Sequence, residues 1–140
     1  MTTSNDQFHR LPAEISAVQA FDLTSKFIES TLQNTPSVIK DMTVYLSKSK
    51  GKNIRTRLLI GCAVKENEKV NKDAVLFASA IEILHLATLV HDDIMDNAGL
   101  RRGIPALHTE FGNKSAVITG DYLLTLAISS LAPLLQKYSR

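Results

Sequence analysis

Apolar residues recur at helical spacing along most of the chain, and the stretches between them are short and rich in helix-stopping residues. Ile15, Val18 and Phe21, followed by Phe27, Ile28 and Leu32, form one stripe, with Pro12 suited to a helix start. Asn34-Thr35-Pro36 interrupts it. Thr35 suits an N-cap and Pro36 a first helical position, so a second helix would turn Val38, Ile39, Met42, Tyr45 and Leu46 inward. Residues 47–52 read as a small basic loop, 54–64 as a third helix and 65–70 as a charged surface turn. Asn71 can cap a fourth helix over 72–96, which lacks Gly and Pro, is mostly apolar and should therefore be central. Gly99 and Gly103 mark a loop over 97–103, a short helix fits 105–111, and a last helix starts near Asn113.

No segment shows convincing period-two alternation, so the pattern predicts an all-α fold of long antiparallel helices. Residues 1–10 read as a flexible N-terminal tail and 11–140 as one partial helical domain. The last helix is apolar on nearly every side, through Val117, Ile118, Leu124, Ile128 and Leu131 among others, and a helix of that kind needs burial. The chain is therefore expected not to be a monomer. Because the run 116–135 contains Gly120, Asp121 and Pro133, it reads as a buried helix and not as a transmembrane segment.

Composition narrows the class. An apolar share of 44% suits a folded globular chain, and a net charge of +2 gives no reason to expect a nucleic-acid partner. The single cysteine, Cys62, excludes an intramolecular disulfide; it sits in an apolar run and reads as a small buried residue in a reducing, cytoplasmic setting. The N-terminus lacks the apolar core of a signal peptide.

The charges are few but segregated. His85, Thr88, Asp92 and Asp96 follow one another at steps that keep them on one helix face, with His85 roughly 10 Å below Asp92. Asp93 is turned by about 100° and can approach from the side. Carboxylates crowded at the C-terminal end of an apolar helix repel one another and oppose the helix dipole, and Mg²⁺ is a suitable counter-charge because it takes carboxylate oxygens and leaves positions for water and phosphate. A solvated acidic helix end is the bland alternative; the abrupt switch from an apolar run to His91-Asp92-Asp93 favours a site at a pocket mouth. Lys52 and Arg55 follow Gly51 at a loop-to-helix junction, and Arg101 and Arg102 lie just beyond the acids, where guanidinium and ammonium groups can meet phosphate oxygens. Each basic group taken alone reads as solvated surface.

Taken together, Gly51-Lys52-Asn53-Ile54-Arg55, Glu82-Ile83-Leu84-His85, His91-Asp92-Asp93-Ile94-Met95-Asp96, Arg101-Arg102-Gly103, Phe111-Gly112-Asn113-Lys114 and Gly120-Asp121-Tyr122-Leu123 resemble, in order and spacing, the trans-prenyltransferases, or isoprenyl diphosphate synthases. The resemblance implies the N-terminal half of an isoprenoid-synthase helical bundle. It implies that Asp92, Asp93 and Asp96 bind an allylic diphosphate through Mg²⁺ and are catalytic, and that Arg101 contacts that diphosphate. Lys52, Arg55, His85 and Arg102 would bind isopentenyl diphosphate. The implied reaction is ionisation of the allylic substrate, attack by the isopentenyl double bond and proton loss.

The chain departs from the family pattern at Lys50, Asn53 and Thr56, where Gly, Arg and Pro are usual, and it carries no second aspartate-rich motif. A homo- or hetero-oligomer with a complementary synthase chain is expected on that ground. A non-catalytic regulatory or scaffold subunit, or an inactive truncated half, is the alternative; a terpene cyclase fits less well, because it has no use for Lys52, Arg55, Arg101 and Arg102. Ala87 and Thr88, one turn before the acids, are not aromatic, which in this family implies an open pocket floor and a medium- or long-chain product.

Overall fold

A computed structural model describes residues 10–49 and 51–138; nearly all of the expected tail, and Lys50 in the basic loop, lie outside the described residues. The first element among the described residues is a short strand, β1 (Glu14–Ser16), and not a helix at Pro12. Ser16 then caps α1 (Ala17–Gln33). Its hydroxyl accepts from the Gln19 N–H at 3.1 Å while the Gln19 side chain accepts from the Ser16 N–H at 3.2 Å, a reciprocal capping box. The next helix, α2 (Ser37–Lys48), has Pro36 at its N-cap. Thr35 does not cap it: that hydroxyl is buried in a 2.6 Å hydrogen bond with Thr43. Ile39 is buried as expected, but Val38 points outward at 84% exposure.

Helix α3 (Ile54–Ala63) matches its sequence pattern closely, and a strand β2 (Lys69–Asn71) replaces the end of the charged turn by pairing antiparallel with β1, Ile15 opposite Val70. Cys62 is exposed, contrary to expectation, because α3 buries only Thr56 and Ile60 and leaves its other faces, with Ile54 and Leu58, outward.

Helix α4 (Asp73–Met95) is the hub: it packs along α1, α3 and the later helices α5 (Leu107–Phe111) and α6 (Asn113–Ser130). Between α4 and α5 the chain makes a tight hairpin of β3 (Leu100–Arg101) and β4 (Ile104–Pro105), which the sequence pattern reads as plain loop. Its two turn residues both take positive φ, 53° at Arg102 and 82° at Gly103, as a twisted two-residue turn requires. After α6 the helix breaks at Leu131 and is followed by α7 (Ala132–Tyr138), so the single last helix of the sequence reading is two.

The helices of α4 and α6 approach closely because small residues line the seam. Ile83 and Ala87 meet Leu123 and Ala127 in the middle of the core, and Val90 meets Ala116 and Leu107 nearer the acids. At Gly120 a Cβ would stand 2.2 Å from Nε2 of His91. Only one stripe of α6 is buried, Ala116, Thr119, Gly120, Leu123 and Ala127; Ile118 and Ile128 are 50% and 61% exposed. By length and composition alone, α4 and the run Asn113–Tyr138 are apolar enough to cross a membrane; here they pack on each other.

Candidate active site

The acidic tip is shaped by how α4 ends. Asn97 takes the left-handed conformation, φ 51°, just after the C-cap residue Asp96. The Ala98 N–H then donates to the Asp93 carbonyl at 2.9 Å and the Asn97 N–H to the Ile94 carbonyl at 3.2 Å, the paired bonds of a Schellman ending. This stop turns the chain back on itself and lets the hairpin bring Arg101 and Arg102 alongside α4.

The three aspartates do not share one environment. Asp92 is half-buried and Asp96 exposed, one turn apart on the same face of α4. Asp93 is buried, and Arg101 takes its carboxylate from the side, Nε donating to Oδ1 and Oδ2 at 3.1 and 3.0 Å with Nη2 also on Oδ1. Hydrogen bonding to Asp93 comes first among the influences that hold the Arg101 guanidinium above its ordinary pKa, with the charges of Asp92 and Asp96 adding to it. Among the described residues, no group of three or more acidic, histidine or cysteine side chains converges as a metal cage. Asp92 and Asp96 still fit a hard cation as a partial ligand pair, because Mg²⁺ commonly takes one or two carboxylates and completes its shell with water and phosphate oxygens.

His91 anchors this end of α4. Its Nε2 lies 3.3 Å from the Val117 carbonyl and 3.4 Å from Asp121, on the bare backbone of Gly120. The sequence reading quoted both motifs without seeing that they touch.

Lys52, Arg55, His85 and Arg102 do come together. They line one cavity of about 650 Å³, whose apolar wall includes Ile28, Leu32, Leu86 and Leu89. Asp92, Asp93, Asp96 and Arg101 are not in that lining, but a smaller cavity next to it is walled by Asp93, Arg101 and Arg102 and shares Ser49 and Leu86 with the first. The basic and acidic groups, separated in sequence by α4, are thus neighbours at one end of the fold.

Burial, and then the nearby charge of Arg55, lower the His85 pKa below its ordinary value; Arg102 and Arg101 act in the same sense and Glu82 against them. Both effects favour the neutral ring, and Thr88 beside it donates its hydroxyl to the His85 carbonyl at 2.7 Å. Neither Lys52 nor Arg55 has a side-chain hydrogen bond or ion pair among the described residues, so both remain available to an anion. Arg102 donates from Nη1 to the Ser49 carbonyl at 2.8 Å and lies over Gly51, where a Cβ would be only 2.8 Å from Nη1 and Nη2. A side chain at position 51 would push the flexible end of Arg102 aside.

A model of the family described as polyprenyl synthetase matches residues 36–139. The chain belongs to the polyprenyl synthetase family. It is 37% identical over 107 residues to the geranylgeranyl diphosphate synthase of Saccharolobus solfataricus, covering 74% of this chain and 31% of that protein. It is 32% identical over 103 residues to the heptaprenyl diphosphate synthase component 2 of Bacillus subtilis, covering 74% of this chain and 29% of that protein. Among solved structures, a heptaprenyl diphosphate synthase from Staphylococcus aureus superposes with a TM-score of 0.74 at 27% identity, over 84% of this chain and 37% of its own. The polyprenyl synthetase chain described here thus spans about a third of the length of the curated relatives it matches.

Two sequence expectations change in this light. Asp93 does not stand with Asp92 and Asp96 but is held by Arg101, so that guanidinium is already engaged. Ala87 lines neither of the two cavities described above; it is 2% exposed in the seam between α4 and α6. Glu82, whose role the sequence reading did not assign, proves to be part of the cavity wall.

Proposed function

We propose that this chain supplies the substrate-binding half of a trans-prenyltransferase, a polyprenyl diphosphate synthase that joins isopentenyl diphosphate to an allylic diphosphate. The observation that carries the reading is the convergence of Lys52, Arg55, His85 and Arg102 on one cavity beside the acidic end of α4. Lys52 and Arg55, without a side-chain hydrogen bond or ion pair among the described residues, take the phosphate oxygens of isopentenyl diphosphate, and Arg102 and His85 flank them. Arg102 is preset by Ser49 and Gly51, so little conformational freedom is lost on binding.

Asp92 and Asp96 are the residues suited to hold Mg²⁺ with the allylic diphosphate. When bound, the metal stabilises the negative charge that develops on the departing diphosphate. In the reaction the allylic carbon–oxygen bond breaks, the diphosphate leaves with the electron pair, the isopentenyl double bond forms the new carbon–carbon bond, and a proton is lost. The apolar walls of the cavity, Ile28, Leu32 and Leu89 among them, exclude water from a reactive cation. Arg101 serves by holding Asp93 in place at the base of the acidic group.

A complementary synthase chain or segment is part of this proposal. The exposed apolar residues of α4 and α6, Ile81, Leu84, Ile118, Leu124 and Ile128, offer it a surface. A relative named as component 2 of a heptaprenyl diphosphate synthase supports an assembly of more than one chain. The test is a prenyl-transfer assay with radiolabelled isopentenyl diphosphate, run on this chain alone and with a C-terminal half from a full-length relative. Transfer only in the mixture supports the reading; no transfer in either, from folded protein that also fails to bind isopentenyl diphosphate, sinks it.

A further inference from the structure

The start of α3 has no local cap: Asn53 stands at the N-cap with a left-handed backbone, φ 48°, and no side-chain hydrogen bond. The missing acceptor comes from elsewhere. Thr56, 1% exposed, donates both its N–H and its hydroxyl to Oε1 of Glu82, each at 3.0 Å, from a helix 26 residues away in sequence. A carboxylate of α4 thus satisfies an orphan donor of α3 and sits at the positive end of its dipole. On the other side of Lys52, the Arg102 guanidinium holds Ser49 and covers Gly51. The segment that carries Lys52 and Arg55 is clamped at both ends.

Glu82 also faces the anion cavity, where its charge is of the wrong sign. Among Lys52, Arg55, His85 and Arg102 a carboxylate repels phosphate, so its presence there needs a compensating gain. We infer that Glu82 is a positioning residue: by holding Thr56 it fixes the start of α3, and with it Lys52 and Arg55, for a diphosphate. The inference rests on the anion-site reading above.

Charge and position predict opposite signs for the same substitution. Removing a carboxylate from an anion site tightens anion binding if charge alone matters, and weakens it if the carboxylate holds the cations in place. The test is calorimetric titration of inorganic pyrophosphate into the full chain and its variants, each checked for native helix content by circular dichroism. Glu82→Leu is expected to weaken binding by about 10-fold or more. Glu82→Gln keeps an acceptor oxygen for Thr56 and loses the charge, and is expected to bind as tightly as the parent or more so. Thr56→Val keeps the N–H and loses the hydroxyl, and is expected to weaken binding by roughly 3-fold. Amide exchange at Thr56, measured without ligand, should be faster in Glu82→Leu. If the parent chain binds no pyrophosphate, the anion-site reading falls and takes this inference with it. If the parent binds and Glu82→Leu binds equally well or better, this inference alone is overturned. Should Glu82→Leu fail to fold, unchanged affinity in Thr56→Val overturns it instead.

Discussion

Arg101 reaches back across the hairpin to Asp93 and donates from Nε to both of its carboxylate oxygens, at 3.1 and 3.0 Å. The Asp93 side chain is 5% exposed and that of Arg101 37%, so the acid is the buried partner and depends on the base for its counter-charge. Arg101→Met should therefore destabilise the chain with no ligand present, by about 1–3 kcal/mol, because it strands a buried carboxylate. Asp93→Asn should cost less, because the amide keeps an acceptor for Arg101. Urea denaturation of the three proteins measures both. A guanidinium reserved for a ligand would leave ligand-free stability unchanged on removal.

His85 gives a pH-dependent signature. Its folded pKa is depressed, first by burial and then by the charge of Arg55, so the folded state binds fewer protons there than the unfolded chain. The sign follows: stability associated with His85 is present above the unfolded value and declines as pH falls through the depressed one. Bound pyrophosphate brings negative charge to the same cavity and should raise the His85 pKa. An NMR titration of the His85 ring, with and without pyrophosphate, should show an upward shift; no shift on saturation would place the anion elsewhere.

Asp73 makes a second, independent pH test far from the cavity. Its carboxylate, 6% exposed, receives Lys137 at 2.5 Å and the Tyr138 hydroxyl at 2.8 Å, tying α7 to the start of α4. Desolvation by burial pushes its pKa up, but the hydrogen bonds from Lys137 and Tyr138 outweigh it and the net direction is down. A depressed carboxylate contributes stability above its unfolded value, near 3.9, that is lost as pH falls through the folded one. Asp73→Asn should lower the melting temperature at pH 7, and the gap from the parent should begin to narrow only as pH falls below about 4, closing once pH is below the depressed folded value. A gap that stays constant as pH falls ever further below the unfolded value would mean that the contact acts through shape and not through charge.

The helices were legible because their apolar spacing is strong: α3 and α4 lie within a residue or two of where the pattern puts them. What was missed has physical causes. The strand pair β1–β2 is too short for alternation to register, and Ser16-Ala17-Val18-Gln19, a capping-box sequence, was the overlooked mark of the true start of α1. The Arg102-Gly103 turn was hidden because Arg, unlike Asn or Asp, is not a residue that announces positive φ. In the site, the grouping of Lys52, Arg55, His85 and Arg102 was implied by the family resemblance that the motifs carry together, and not by any one of them. The partners of Asp93 and Thr56 were not, because they depend on which face of α4 meets the hairpin and α3.

Asp92 and Asp96 carry the metal prediction. Both stand near the negative end of the α4 dipole without a basic side-chain hydrogen-bond partner among the described residues, so a divalent cation relieves an existing strain. Geranyl diphosphate with Mg²⁺ should raise the melting temperature of the chain, and either alone should do so less. Asp92→Ala should abolish most of the joint shift. An undiminished shift in Asp92→Ala would remove Asp92 from the metal site.

The last prediction separates two adjacent positions that sequence reasoning treated as one pocket floor. Ala87 is buried against Ile83, Leu123 and Ala127, whereas Thr88 is exposed on the side of α4 that carries Asp92 one turn later. A phenyl ring at 87 has no space between α4 and α6, so Ala87→Phe should cost about 1–3 kcal/mol by overpacking. Thr88→Phe should change stability by less than about 0.5 kcal/mol. Any steric control of chain length exerted from this turn then belongs to position 88. In an assembly that elongates, Thr88→Phe should shorten the prenyl product by blocking growth below the acids, while Ala87→Phe should lower the yield of folded enzyme. Denaturation curves give the first pair of outcomes and chromatographic sizing of the dephosphorylated products gives the second. A shortened product from stable Ala87→Phe, with Thr88→Phe unchanged, would restore Ala87 to the pocket and contradict the packing described here.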